Sequence, residues 1–434
     1  MFNKTITPGR WMGGWSWGLL FWFSVVSSAV AQPVQLGIDV LIRDNFEALR
    51  DKRVGLVAHP ASVDRRLVST VIRLHESKVC QLVALFGPEH GVFGDVYAGD
   101  RIADRIDPRT GLPAYSLYAS HRKPTRAMLD GLDALVFDLQ DIGARSYTYV
   151  STMRACLEAC AEQDIEFVVL DRPNPLGGER IEGGMVEEGF ESFISHIPVP
   201  YVHGMTMGEL ALMMRNRYAP SFDKLTVIPM RGWRREMLWK DTGLRWVITS
   251  PHIPHAETCA YYVATGIVGE LNTVSIGVGY TQPFELFGAP SVDGVVLADA
   301  LNNHWDNPGE AYRNRKGESL SPGTRAPLGV TFRPVWFKPF YSRFKGEVCQ
   351  GVQVHLDLDR EVNLVEINFK LAQALGGRYM FGDGSRDQSF DRATGSNEAR
   401  ILLLEDAPLD GLFARWRQQC EQFRKDREPY LLYP

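Results

Sequence analysis

Short apolar runs alternate with longer amphipathic stretches from residue 53 onward, and this alternation predicts the elements of a first domain. Each short run is almost continuously apolar, as in strands buried on both faces of a parallel sheet, and the stretches between them have helical spacing. The predicted strands span residues 54–58, 82–86, 134–137, 167–170 and 225–228, and the predicted helices span residues 67–78, 125–132 and 149–163. This order of elements predicts a Rossmann-like α/β domain with a mostly parallel sheet.

The pattern changes after a stretch rich in proline, glycine and aromatic residues at 280–290, which we expect to close the first domain. Beyond it, residues 351–356 alternate between apolar and polar as in an antiparallel strand. Helical spacing is found at residues 295–302, 363–375 and 409–427. We therefore predict that residues 32–290 form the Rossmann-like domain and that residues 291–434 form a smaller α+β domain.

The first 31 residues have the pattern of a secretory signal peptide. Lys4 and Arg10 precede an apolar run at residues 18–26, and small residues precede a possible cleavage site after Ala31. Cleavage there would leave a periplasmic or secreted chain, and the alternative is an uncleaved N-terminal anchor. No later segment is long and apolar enough to suggest a membrane span.

Composition and charge exclude several classes of protein. The chain is 45% hydrophobic and 23% charged, which is typical of globular proteins, and its net charge of -5 gives no reason to expect nucleic-acid binding. Its six cysteines have irregular spacing, which leaves both disulfides and buried free thiols open. His59-Pro60-Ala61-Ser62 follows the first strand in place of a glycine-rich turn, so we expect no nucleotide cofactor. No pattern of metal ligands stands out either, and we expect no metal.

Polar and ionisable residues follow four predicted strands, at the edge where an open parallel sheet binds its ligands. They include His59, Glu89, His90, Asp138, Asp141, Arg145, Tyr147, Asp171, Arg172 and Asn174. We expect a polar cleft, and its carboxylates point to glycoside hydrolysis, which needs an acid and a second group that attacks or activates water. For each aspartate, the alternative is turn capping or an ion pair with Arg145 or Arg172.

Several long motifs resemble the exo-β-N-acetylmuramidase family, long catalogued as a domain of unknown function. They lie at residues 86–91 (Phe86-Gly87-Pro88-Glu89-His90-Gly91), 111–118, 137–145 and 171–178, and the similarity continues through residues 203–206, 283–285 and 288–290. The resemblance implies a site in the cleft between a Rossmann-like domain and a smaller C-terminal domain. It also implies release of terminal N-acetylmuramic acid from the non-reducing ends of peptidoglycan fragments, in cell-wall turnover or recycling, without a redox cofactor.

The resemblance also suggests roles for individual residues. Glu89 is the expected catalytic acid, and His90, Asp138 and Asp171 are the other catalytic candidates. The carboxylate of the sugar's lactyl group requires a cation, for which Arg145 or Arg172 is expected. The candidates for binding the muropeptide or amino sugar are Asp141, Arg145, Tyr147, Arg172, Asn174, His203 and Tyr280. The N-acetyl group of the substrate is an alternative nucleophile.

One stretch departs from the family pattern. Many members carry Ser-Glu-Gly-Arg-Gly where this chain has Ser275-Ile276-Gly277-Val278-Gly279, so that aliphatic residues replace both charges. This departure leaves open a glycosidase of shifted sugar specificity or a non-catalytic protein that binds muropeptides or amino sugars. A nicotinamide-dependent oxidoreductase follows from fold analogy alone and lacks its glycine fingerprint.

Overall fold

The computed structural model describes Met1 and residues 33–97, 99–118, 120–305, 329–360 and 362–434. Residues 33–434 form one compact unit. The predicted signal segment, apart from Met1, lies outside the described residues. Within the described ranges, no helix combines the length and hydropathy needed to cross a bilayer.

A mostly parallel sheet of seven strands confirms the predicted Rossmann-like architecture. Its strands are β1 (Arg53–Ala58), β2 (Gln81–Gly87), β3 (Arg105–Ile106), β4 (Pro113–Ser116), β5 (Ala134–Asp138), β6 (Glu166–Leu170) and β7 (Leu225–Ile228). They lie in the order β3-β4-β2-β1-β5-β6-β7, and the short edge strand β3 is antiparallel to β4. Both faces are covered, because Leu135 and Phe137 of β5 enter one apolar core and Val136 enters another.

Seven α-helices lie between residues 33 and 305 of the described chain; the first six accompany this sheet and its connections, and the seventh packs against a second, smaller sheet. They are α1 (Gly37–Arg43), α2 (Thr70–His75), α3 (Arg126–Leu129), α4 (Tyr149–Gln163), α5 (Met207–Tyr218), α6 (Thr258–Gly269) and α7 (Gly294–Trp305). A capping box begins α5, where Thr206 Oγ1 accepts from the Glu209 N–H and the Glu209 carboxylate accepts from the Thr206 N–H. The apolar helix α6 connects the large sheet to the second part of the fold.

The second part contains a smaller antiparallel sheet, as the predicted α+β class requires. Its strands are β8 (Leu286–Ala289), β9 (Val330–Phe337) and β10 (Cys349–Leu356), in the order β8-β10-β9. Its helices are α8 (Leu364–Leu375), α9 (Gly377–Phe381), α10 (Asp387–Thr394), α11 (Glu398–Leu404) and α12 (Asp410–Asp426). Strand β8 of this smaller sheet lies before residue 290. The domain boundary expected at residue 290 stays a prediction. All six cysteines are buried free thiols.

Candidate active site

A cavity of about 550 Å³ lies next to the carboxyl end of β2, and its size suits a sugar ligand. Glu89 and His90, which directly follow β2, line one part of it, and Tyr147 and Thr148 line another just before α4. Residues 266–278, at and after the end of α6, contribute further lining. The loop after β9 completes the cavity with Ser342 and Arg343, so both sheets contribute to one site.

Hydrogen-bond donors fix the Glu89 side chain at the cavity. The Thr148 hydroxyl donates to Oε2 at 2.7 Å, and the Gly99 N–H donates to Oε1 at 3.1 Å. The Tyr118 hydroxyl also hydrogen-bonds to this carboxyl, and burial, together with the Glu89 charge, raises the pKa of Tyr118. Tyr118 therefore keeps its proton, and the oxygens of the Glu89 carboxyl are the acceptors of these three donors.

Glu270, which the sequence did not single out, presents a second carboxyl to the same cavity. It directly follows the last residue of α6. Burial raises the pKa of Glu270 to about 7, Arg386 opposes this shift, and the charge of Glu89 adds to it. A substantial fraction of Glu270 is therefore protonated at neutral pH. The cavity thus contains one carboxyl held by donors and one that retains its proton, a pairing typical of acid–base sites.

Two histidines line the cavity near these carboxyls. The Nδ1 of His90 lies 2.8 Å from the Val96 carbonyl oxygen, an arrangement in which Nδ1–H donates and Nε2 is left free. His252 pairs through Nε2 with the Tyr341 hydroxyl. Burial lowers the pKa of His252, and His90 adds to this effect. His252 is therefore uncharged at neutral pH.

Arg145 does not line the cavity, although the sequence suggested it as a ligand for the lactyl carboxylate. It is completely buried, and its guanidinium donates to four backbone carbonyls. The acceptors belong to Gly184, Val199, Ala393 and Thr394, at 2.7–3.0 Å. Arg145 therefore links loops of the large sheet to α10. All four of these hydrogen bonds go to backbone carbonyls, and none is directed at the cavity.

Arg172 and Asp138 form a buried ion pair, as the alternative interpretation of the aspartates anticipated. The Arg172 guanidinium donates to both carboxylate oxygens of Asp138, at 2.6 and 2.9 Å, and Thr70 donates a third hydrogen bond at 2.6 Å. Neither residue of the pair lines the cavity. The ion pair and its burial account for both side chains as parts of the core. This geometry gives no support to the catalytic role expected for Asp138 or to the binding role expected for Arg172.

Asp171 is also buried away from the cavity. Its carboxylate accepts from the Tyr433 hydroxyl at 2.5 Å, the Thr206 hydroxyl at 2.7 Å and the Gly208 N–H at 2.8 Å. Burial raises the pKa of Asp171 to about 6, and these donors oppose the shift. Asp171 therefore fastens the C-terminal segment to the start of α5, which is a structural role.

The remaining predicted ligands are mostly interior residues. Asp141 accepts from the Gly143 N–H at 2.7 Å, and its Oδ2 lies 3.9 Å from Nε2 of the fully buried His203. Asn174 is likewise buried, where it donates to the Met205 carbonyl. Burial raises the pKa of Asp141 to about 7 and lowers the pKa of His203 to about 3. Of the predicted substrate-binding residues, the structure therefore places only Tyr147 in the lining of the cavity.

Tyr280 belongs to an aromatic row close to the cavity. Its ring lies 5.9 Å from that of Phe337 and 6.4 Å from that of Phe340, and the Phe340 ring lies 5.4 Å from that of Tyr341. Through Tyr341 the row reaches His252 in the cavity lining. Tyr280 is therefore connected to the site through neighbours, and its own expected contact with substrate stays a prediction.

The turn after β1, where the sequence lacks a glycine-rich pattern, is held by hydrogen bonds of a buried histidine. His59 occupies the turn after β1, where Nε2 accepts from the Gln140 N–H at 2.9 Å and Nδ1 faces the Thr249 carbonyl at 3.3 Å. Across the described ranges, no group of three or more His, Cys, Asp or Glu side chains is arranged to coordinate a metal ion. The described lining of the cavity carries carboxyl, hydroxyl, imidazole and guanidinium groups.

Comparisons with known proteins place the chain among relatives over almost its whole length. The model of the exo-beta-N-acetylmuramidase NamZ N-terminal domain matches residues 54–257, and the model of its C-terminal domain matches residues 260–433. The chain is 38% identical over 426 residues to the peptidoglycan beta-N-acetylmuramidase NamZ of Bacillus subtilis (strain 168), which covers 95% of this chain and 97% of that protein.

Two crystal structures of DUF1343 family proteins from Bacteroides fragilis NCTC 9343 have the same fold. The first has a TM-score of 0.82 and 43% sequence identity, and the match covers 93% of this chain and 99% of that one. The second has a TM-score of 0.68 and 28% identity with the same coverage of both chains.

Proposed function

The chain belongs to the exo-beta-N-acetylmuramidase NamZ family, and we therefore propose that it is an exo-acting glycoside hydrolase that releases terminal N-acetylmuramic acid from the non-reducing ends of peptidoglycan fragments. The structural observation that carries this proposal is the presence of two carboxyls in one cavity, Glu89 held by hydrogen-bond donors and Glu270 buried with its pKa raised to about 7. Hydrolysis of a glycosidic bond commonly uses one carboxylic acid and one carboxylate.

In the proposed reaction, Glu270 is the acid. It transfers its proton to the glycosidic oxygen as the bond from that oxygen to the anomeric carbon breaks, and the rest of the glycan leaves as an alcohol. Water then supplies the hydroxyl group of the released sugar and returns a proton to Glu270. Burial of Glu270 supports this role, because it keeps the carboxyl protonated near neutral pH.

Glu89 is the proposed carboxylate. Its negative charge stabilises the positive charge that develops on the sugar ring during bond cleavage. The sequence alone suggested Glu89 as the proton donor. In the structure, Thr148 and Gly99 donate hydrogen bonds to Glu89, whereas burial raises the pKa of Glu270, so we assign the proton to Glu270.

A glycosidase of shifted sugar specificity is the second candidate. The observation that favours it is the apolar character of Ile276 and Val278, which both line the cavity. A protein that only binds amino sugars would have no need of a buried carboxyl with a raised pKa beside a second carboxyl, so we prefer an enzyme.

We further propose that the chain acts outside the cytoplasm. The basic start, apolar run and small residues of its first 31 positions support export, and peptidoglycan fragments occur there. Expression of the full chain, followed by cell fractionation and N-terminal sequencing, tests this proposal. Export predicts a mature chain beginning at residue 32, whereas an intact N terminus in the cytosolic fraction would contradict it.

Hydrolysis of two isomeric disaccharides tests the proposed activity. One carries N-acetylmuramic acid at the non-reducing end, β-linked to N-acetylglucosamine, and the other has the reverse order. We expect both sugars to be released from the first disaccharide and no cleavage of the second, with Glu89→Gln and Glu270→Gln as strongly impaired controls. Cleavage of the second disaccharide only, or of neither, would overturn the proposal.

A further inference from the structure

We propose that Arg343 binds the lactyl carboxylate of the substrate and thereby selects N-acetylmuramic acid over N-acetylglucosamine. This inference rests on the proposed function, because it concerns the sugar bound at the same cavity. The two sugars differ by the lactyl ether, whose carboxylate is the one charge that distinguishes them. A site that discriminates between them by charge therefore needs a cation facing the cavity.

Among the described residues that line the cavity, Arg343 and Arg386 are the ones with a basic lysine or arginine side chain. Arg386 acts on Glu270, because its positive charge lowers the pKa of that carboxyl against the effect of burial. Arg343 differs, since its charge is not among those that shift the pKa of Glu270, and within the described residues no ion pair involves its guanidinium. Arg343 is therefore the cation that remains available for an anionic ligand.

The guanidinium of Arg343 is oriented by a ring rather than by an acid. Its central carbon lies 4.2 Å from the centroid of the Phe344 ring, a cation–π contact. A guanidinium that stacks on a ring keeps the N–H donors along its edge free for hydrogen bonding. Those donors can pair with both oxygens of a carboxylate at once, whereas the ammonium group of lysine lacks this planar, two-pronged geometry.

The loop that carries Arg343 is fixed against the wall of the cavity. The Phe340 N–H donates to the Gly279 carbonyl at 2.9 Å, and the Gly346 N–H donates to the Pro339 carbonyl at 2.8 Å. Gly279 has φ of +94°, and a Cβ there would collide with the Tyr341 carbonyl oxygen. The loop position thus depends on Gly279, and a preformed loop reduces the entropy lost when substrate binds.

The cavity wall near this loop favours a charge contact. Ile276 and Val278 present aliphatic side chains to the cavity, and Phe284 adds a ring. Apolar surroundings lower the effective dielectric constant, so an ion pair formed there is stronger than one in bulk water. Arg145 and Arg172 cannot take this role in the observed structure, because carbonyl oxygens and Asp138 occupy their guanidinium groups.

Three aryl glycosides separate the charge of the lactyl group from its shape. They are the 4-nitrophenyl β-glycosides of N-acetylmuramic acid, of its lactyl methyl ester and of N-acetylglucosamine. For Arg343→Gln we expect kcat/KM on the acid to fall about 10- to 100-fold, as for the loss of a hydrogen bond to a charged group. The ester and the N-acetylglucosamine substrate should change by less than about twofold, and Arg343→Lys should retain part of the activity on the acid.

Lys345→Gln is the matched control, because it removes one positive charge from the same loop at a residue that does not line the cavity. It should behave as the wild type on all three substrates. An equal loss on acid and ester in Arg343→Gln, or no loss on either, would overturn the assignment.

A binding measurement keeps this test separate from the proposed activity. If the wild type hydrolyses none of the glycosides, the proposed function fails, and calorimetry with free N-acetylmuramic acid and N-acetylglucosamine then decides the role of Arg343. A preference for the acidic sugar that disappears in Arg343→Gln supports the inference. Equal binding of the two sugars to the wild type, or an unchanged preference in the variant, contradicts it.

Discussion

Glu89 and Glu270 line one cavity, and the negative charge of Glu89 contributes to the raised pKa of Glu270. The two carboxyls come from distant parts of the sequence, one directly after β2 and the other directly after α6. Donors surround the first, and burial dominates the environment of the second. Their different surroundings give two chemically identical groups different roles, and the buried Glu270 is the one suited to carry a proton.

The pH dependence of hydrolysis should report the proton on Glu270. Because burial raises the pKa of Glu270 to about 7 and the acid must be protonated in the active form, kcat/KM should decline as the pH rises through about 7. The residual activity of Glu270→Gln should lack this alkaline decline. A decline at the same pH in the variant would assign it to another group.

Thr148 should act as a positioning residue for Glu89. Its hydroxyl donates to Glu89 Oε2 at 2.7 Å, and Thr148→Val removes this donor while it preserves the shape of the side chain. We expect kcat to fall about tenfold, which corresponds to one hydrogen bond to a charged acceptor. Thr148→Ser should restore most of the activity. If the serine variant is as impaired as the valine variant, the methyl group rather than the hydroxyl is what Glu89 requires.

Arg145 should contribute to stability rather than to sugar selection. Arg145→Met leaves four carbonyl acceptors at Gly184, Val199, Ala393 and Thr394 without their donor. We expect the free energy of unfolding, measured in urea, to decrease by at least about 3 kcal/mol. The ratio of kcat/KM for the lactyl acid and its methyl ester should stay at the wild-type value. A variant of normal stability that loses this ratio would return Arg145 to the role predicted from the sequence.

His59 should make the fold sensitive to acid. Burial, with a smaller effect of Arg172, lowers the pKa of His59 to about 3 from an ordinary value of 6.5. Between these pH values the unfolded chain binds a proton that the folded chain excludes, so the contribution of His59 to stability is lost as the pH falls from about 6.5 to 3. Buried acids such as Asp171, whose pKa is raised to about 6, act in the opposite direction.

The difference between wild type and His59→Gln isolates this contribution from that of the acids. We expect the free energy of unfolding of the wild type to decrease more steeply than that of the variant as the pH is lowered from 6.5 to 4. Parallel curves for the two proteins would show that His59 takes up its proton in the folded state.

The sequence predicted those parts of the fold whose patterns are local. Strand β7 and helix α4 have the predicted bounds, because a buried strand is continuously apolar and a buried helix has its own spacing. Strand β9 was missed, since Pro334 interrupts its pattern. Proline is accepted there because β9 lies at the edge of its sheet.

The site was harder to predict than the fold. The strand-end rule selected Glu89, His90 and Tyr147, which line the cavity in the structure. The same rule also selected Asp138 and Asp171, because it cannot distinguish a carboxylate that faces a cleft from one that serves an internal arginine or hydroxyl. Glu270 and Arg343 depend on how α6 and the loop after β9 approach the first sheet. This approach is set by tertiary packing, and no local sequence pattern predicts it.

The roles of the two carboxyls can be separated most directly with a leaving group that needs no proton. The measurement compares kcat of Glu89→Gln and Glu270→Gln on the muramoyl disaccharide and on 2,4-dinitrophenyl β-N-acetylmuraminide. We predict that Glu270→Gln loses at least about 100-fold on the disaccharide and less than about tenfold on the dinitrophenyl glycoside, whereas Glu89→Gln is strongly impaired on both. The reverse pattern, or full activity of either variant on the disaccharide, would contradict the account.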